Sequence, residues 1–86
     1  MKFICDAMLW KLAKKLRMLG FDTAYHHTTA ETSIKETALP GNRIILTRKT
    51  NFSSTDNKLT FMFIKDNAPE EQLRQVIAHY KIKKNS

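Results

Sequence analysis

The sequence predicts one small α/β domain built on a mostly parallel, four-stranded sheet. Three observations lead there. Short apolar runs of strand length alternate with stretches of helical periodicity. Both glycines, Gly20 and Gly41, stand between a helical stretch and the strand-like run that follows it. The third run, Ile44-Ile45-Leu46, is continuously apolar, the pattern of a strand covered by helices on both faces. Strands alternating with helices imply parallel pairing through right-handed crossovers.

Each element follows from its residues. Lys2-Phe3-Ile4-Cys5 reads as a buried strand ending at Asp6. Leu9, Leu12, Ala13, Leu16 and Leu19 then fall on one side of a 3.6-residue period, with Lys11, Lys14 and Lys15 opposite, so an amphipathic helix is expected up to Gly20. Phe21 to Tyr25 offers a second strand. Thr28 or Thr29 is placed to cap a helix containing Ala30, Ile34, Lys35 and Ala38, which Pro40-Gly41 ends. At the two glycines a left-handed residue after a helix is expected. Arg43 to Thr47 is the third strand, and the polar stretch from Arg48 to Lys58 reads as a loop with at most a short helix near Phe52. Leu59 to Ile64 supplies the fourth strand. Pro69 opens a last helix carrying Leu73, Val76, Ile77 and Tyr80 on one face, with Glu70 and Glu71 at its positive end and Lys81 and Lys83 at its negative end.

Composition narrows the function classes. A chain of 86 residues has room for one core and one site. Its 42% hydrophobic and 27% charged residues exclude a disordered or fibrous chain. No apolar stretch nears the ~20 residues of a membrane span, and Asp6 interrupts what would be the apolar part of a leader, so a cytoplasmic protein without membrane contact is expected. The single Cys5 cannot form an internal disulfide or supply a zinc ribbon. Fifteen Lys and Arg against eight Asp and Glu give +7, a balance that suits nucleic acid or simply solubility. Three of those charges, Lys81, Lys83 and Lys84, belong to a C-terminal tail whose residues 82–86 are expected to fray.

In a parallel sheet the site lies beyond the carboxyl ends of the strands. The residues there are Asp6, His26, His27, Arg48, Lys49 and Asp66. Asp6 and Asp66 each precede a helix, where capping alone accounts for an acid; capping and metal binding are compatible. Asp56 lies in the polar loop with nothing to fix its position. His26-His27 invite a zinc reading, but neighbours on a strand point to opposite faces, so a surface role is favoured. Cys5, within an apolar strand, belongs to the core. The basic face of the first helix, with Trp10 and Arg17 on its flank, reads either as a solvated surface or as a phosphate-contacting and base-stacking one.

The blocks FICDAMLWKLAKKLRMLGFDTAY, NRIILTR and APEEQLRQVI together resemble the Mut-seven C-terminal ribonuclease domain, a PIN-like family, colinearly across nearly the whole chain. The resemblance implies a three-layer α/β/α domain, residues 1–86, with sheet order 3-2-1-4, and metal-dependent RNA cleavage of endo- or exonucleolytic type. It implies Asp6, Asp66 and Glu31 as carboxylates that hold Mg²⁺ or Mn²⁺. The chain departs from the family at Lys49, since Leu46-Thr47-Arg48-Lys49 stands where LTRD is usual and an ammonium replaces a carboxylate. It also has Trp10 where a small residue is usual, Lys15 where Trp is frequent, and no zinc ribbon before Ser86. Two function classes follow. One is a metal-dependent ribonuclease-family domain with a reduced site, in which Asp6, Glu31, Asp66 and Lys49 carry the chemistry and Lys11, Lys14, Lys15, Arg17 and Arg48 contact RNA. The other is a catalytically inactive module that binds nucleic acid or a protein, with Lys49 in the space of the cation; assembly through Trp10 and nearby apolar residues, as a homodimer or with a protein partner, is a further possibility.

Overall fold

The structure is a computed structural model and describes residues 1–27, 30–49 and 59–80. Its elements in chain order are β1 (Lys2–Cys5), a single 3₁₀ turn (Ala7–Leu9), α1 (Trp10–Met18), β2 (Asp22–Tyr25), α2 (Glu31–Gly41), β3 (Ile44–Thr47), β4 (Thr60–Phe63) and α3 (Pro69–Tyr80). All three strand pairings are parallel. The expected α/β class and the positions of all four strands and three helices match what forms. The short helix near Phe52, the Asp56 position and the fraying of residues 82–86 fall outside the described residues.

The sheet order is a correction. The strands lie in the order β2-β1-β3-β4, not 3-2-1-4, so β3 sits between β1 and β4 instead of at an edge beyond β2. Phe3, Ile4 and Cys5 of β1 pair with Ile44, Ile45 and Leu46 of β3, the two most continuously apolar runs in the chain. Such strands are buried on both faces, and at the centre of the sheet both helix layers cover them. β2 and β4 carry polar or half-exposed residues, Asp22 and Tyr25 on one and Thr60, Phe61 and Phe63 on the other, and take the edges.

Three layers result. Against one face, α1 and α3 pack Leu12, Ala13, Leu16 and Val76 onto Phe3, Cys5, Leu46, Met62 and Ile64. Against the other, α2 packs Ile34 and Ala38 onto Ile4 and Ile45. Residues 3, 4 and 5 thus alternate between the two cores, and each fully buried Leu, Ile or Phe contributes about 1.5–3 kcal/mol of transfer energy.

Two helix ends differ from expectation. Ala30 holds the cap position of α2 without a side-chain bond, and Thr28 and Thr29 lie outside the described residues. After α2 the left-handed residue is Asn42, with φ of 51°, and not Gly41, which is the last helical residue. Asn tolerates this region better than most side chains. A Cβ at Gly41 would meet the Arg43 Nε at 3.3 Å, a tight contact that the Arg43 side chain would have to shift slightly to accept. Gly20 does adopt the left-handed conformation, at φ 93°, ending α1 as its position suggests.

Candidate functional site

The carboxyl edge of the sheet is organised around Asp6. The residue is fully buried at the end of β1 and caps the 3₁₀ turn, its Oδ1 accepting from the Met8 N–H at 3.0 Å. Its Oδ2 accepts from the Thr47 hydroxyl at 2.9 Å and from the Arg48 N–H at 3.4 Å, both at the end of β3. The carboxylate therefore receives three donors, one from the 3₁₀ turn and two from the end of β3. Thr47 Oγ1 in turn accepts from the Lys49 N–H at 3.1 Å, so the turn carrying Lys49 is tied to Asp6 through one side chain.

Arg48 joins this edge to β4 and α3. Its guanidinium donates to the carbonyls of Ile64, at 3.4 Å, and Asp66, and to Asn67 Oδ1 at 2.7 Å. The buried Gln72 of α3 supports the same corner, its Nε2 donating to the carbonyls of Asp66, at 3.0 Å, and Asn67, at 3.4 Å. Asp66 is thus fixed through its main chain by two side chains. Cys5, one residue before Asp6, has its thiol pushed up from 9.0 to about 12, first by burial and then by the Asp6 charge, with Arg17 opposing. It is a core thiol, as the apolar run around it suggests.

The other candidates lie in three places. α2 starts at Glu31, after the carboxyl edge of β2, and the Glu31 side chain lies outside the described residues. His26 and His27 follow the end of β2, where strand alternation no longer applies, and their rings stack with centroids 5.2 Å apart and planes at 28°. This corrects the expectation of opposed imidazoles. The Nδ1 of His26 is buried and has no hydrogen-bond partner among the described residues. On α1, Arg17 donates through Nε to the Thr23 carbonyl at 2.8 Å, which ties the helix to β2, and Lys15 pairs with Glu70 of α3.

Trp10 stands half exposed at the start of α1, with Lys11 Nζ 5.4 Å from its ring centroid. A depression of about 250 Å³ between Met8, Trp10, Lys11, Asn67, Pro69 and Gln72 adjoins another of about 330 Å³ lined by Trp10, Lys11, Lys14, Lys15, Met18 and Pro69. Thr47 and Gln72 went unnoticed in the sequence. A threonine closing an otherwise apolar strand and a glutamine on a helix's inward side both had to find partners once buried, and that requirement is the signal that marks them.

The metal expectation meets these donors directly. Two divalent ions side by side need several negative oxygens. Among the described residues no group of three or more His, Cys, Asp or Glu side chains is placed to hold a metal ion. Asp6 already receives three hydrogen bonds of the roughly four its oxygens can take. The donor set of the described residues does not fit a two-metal centre.

The site thus lies in a parallel α/β domain of positive net charge, with a buried acid at the carboxyl edge and a lysine-bearing helix in the layer beside it. The family model described as the Mut7-C RNAse domain matches residues 1–86, the full length of the sequence, and the chain belongs to that family. No curated protein and no solved structure matches it. Among the described residues no helix is long and apolar enough to cross a membrane.

Proposed function

We propose that this chain is an RNA-binding member of the Mut7-C RNAse domain family whose carboxyl edge is a reduced nuclease site. The observation that carries this reading is the state of Asp6: a fully buried carboxylate committed to Met8, Thr47 and Arg48, with Lys49 following where the family resemblance expects an acid. RNA is held by charge, through Lys11 and Lys14 on α1, with Lys15 shared between RNA and Glu70. Arg48 acts by positioning: it fixes the corner that carries Asp66, and Lys49 supplies positive charge beside a bound phosphate.

The test is binding of a labelled single-stranded RNA at two salt concentrations. Affinity falls steeply as salt rises, because neutralised phosphates release counterions; salt-independent binding, or none at low salt, defeats the reading.

A second reading, RNA cleavage with Asp6, Asp66 and Glu31 holding Mg²⁺ or Mn²⁺, is favoured by the family's ribonuclease character and by the place of Asp6 at the end of β1. Lys49→Asp discriminates. Restoring the acid tightens Mn²⁺ binding two- to tenfold, up to about 1.4 kcal/mol, and calorimetry reads it. A wild-type protein that already cleaves RNA with Mn²⁺, and loses this in a folded Asp6→Asn variant, establishes the second reading over the first.

A further inference from the structure

The two depressions beside α1 share Trp10, Lys11 and Pro69, and so form one groove. At one end it reaches Asn67 and Gln72, the corner that carries Asp66; at the other it reaches Lys14 and Met18 along the helix. Its apolar residues are unusually open to solvent: Trp10 is 52% exposed, Met8 62% and Met18 79%. Large apolar side chains left in water beside a site mark a contact surface more often than isolated ones do. The charged groups lining the groove are all cationic, Lys11, Lys14 and Lys15. The nearby acid Glu70 is paired with Lys15.

We propose that Trp10 is a base-stacking platform in a single-stranded RNA subsite that runs along this groove, next to the carboxyl edge. The proposal rests on RNA as the ligand class and adds the place and the manner of contact. An exposed indole among lysines combines the two interactions that single strands use: a flat surface for a base and positive charge for the phosphates on either side of it. Lys11 prepares the arrangement, since its ammonium lies over the indole ring. An exposed cation–π contact is weaker than a base–aromatic stack, so an arriving base displaces the ammonium toward the adjoining phosphate.

The charge distribution selects this occupant. A two-fold contact between copies would set the same patch against itself and bring Lys11, Lys14 and Lys15 toward their symmetry mates. A single strand of RNA offers alternating flat bases and negative phosphates, complementary to both parts of the groove.

Trp10 is the single tryptophan of the chain, so its fluorescence reports on this position alone. The full chain, in EDTA and low salt, is titrated with an oligoadenylate and with a ribose-phosphate oligomer of equal length that lacks bases. Stacking predicts strong quenching by the first and little by the second. Anisotropy of a labelled oligoadenylate then measures the variants, with a melting curve for each. Trp10→Ala weakens binding about tenfold, Trp10→Phe restores most of the loss, and Lys14→Gln lowers the salt dependence without changing the wild-type quenching amplitude.

Equal quenching by the two oligomers overturns the subsite, as does undiminished binding by a folded Trp10→Ala variant. Tighter binding of the matching DNA strand overturns the assignment to RNA. A wild-type dimer that Trp10→Ala converts to monomer shows the patch to be a self-interface and also overturns it. Complete absence of oligonucleotide binding defeats the RNA reading itself, whereas binding that is independent of Trp10 defeats only the subsite.

Discussion

The two ends of β3 carry an arginine each, and they are used differently. At the amino end, Arg43 Nη1 donates to the Phe3 carbonyl at 3.1 Å and to the Asp22 carbonyl and carboxylate at 3.3 and 2.9 Å, which joins β3, β1 and β2 and pairs the charge of Asp22. At the carboxyl end, the Arg48 guanidinium takes main-chain carbonyls and an amide oxygen, while the Asp6 carboxylate receives a hydroxyl and two N–H groups. One end neutralises its acid with an arginine side chain. The other keeps an acid held by neutral donors, with an arginine spent on the scaffold around it. Asp22 is paired across the seam by an arginine, whereas Asp6 is bonded to uncharged donors at the carboxyl edge.

The difference is broken most severely by Asp6→Ala, which strands the Thr47 hydroxyl and the N–H groups of Met8 and Arg48. We expect a loss of about 3 kcal/mol in urea unfolding. Asp6→Asn keeps the cap at Met8 and costs less. Equal stability of the alanine variant and wild type shows that the three bonds have no net weight.

Next in size is the contrast between the arginines themselves. Arg48→Met frees the corner at Asp66 and costs about 2 kcal/mol, whereas Arg43→Met removes a pair whose acid is 56% exposed and costs about 1 kcal/mol. Only the first lowers RNA affinity, since only it loosens the functional edge. If Arg43→Met also weakens RNA binding, the two ends are not separate in function.

The smallest effect reads the burial of the carboxyl edge through Cys5. The thiol of the unfolded chain ionises from 9.0 upward while the folded one stays protonated to about 12, so the unfolded state gains and stability falls as pH rises between the two. By pH 10 this amounts to about 1 kcal/mol. Tyr80, also raised by burial, acts in the same direction, so the measurement is the pH dependence of wild type less that of Cys5→Ala. Identical slopes would mean that the thiol is open to solvent.

Much of the fold was legible because burial leaves a period in the sequence. The runs at residues 3–5 and 44–46 show strands, and the leucines from 9 to 19 show a helix. Strand order was harder to read, because the family-implied 3-2-1-4 arrangement outweighed a local cue: the two most apolar runs should neighbour each other. At the site, Asp6 was legible by its place after a strand. Its partner Thr47, 41 residues away, was not, since a hydroxyl becomes significant only once the register of two distant strands is known. Arg48 and Arg17 looked like surface cations because charge is visible in a sequence, while the carbonyls that hold them are not.

The central position of β1 also sets an order of events in folding. Its pairing with β3 closes a loop of some 40 residues, the kind of long-range contact that slows folding, whereas α1 closes onto β1 and β2 locally. A β1-α1-β2 intermediate would leave one side of β1 unpaired, with the Asp6 carboxylate still lacking its partners Thr47 and Arg48. Docking of β3 then does two things at once: it delivers Thr47 and Arg48 to Asp6 and provides the edge on which β4 pairs. The site therefore cannot form before β3 docks, and the time at which Cys5 stops reacting with a pulsed thiol reagent during refolding shows how far the core beside it has closed by then.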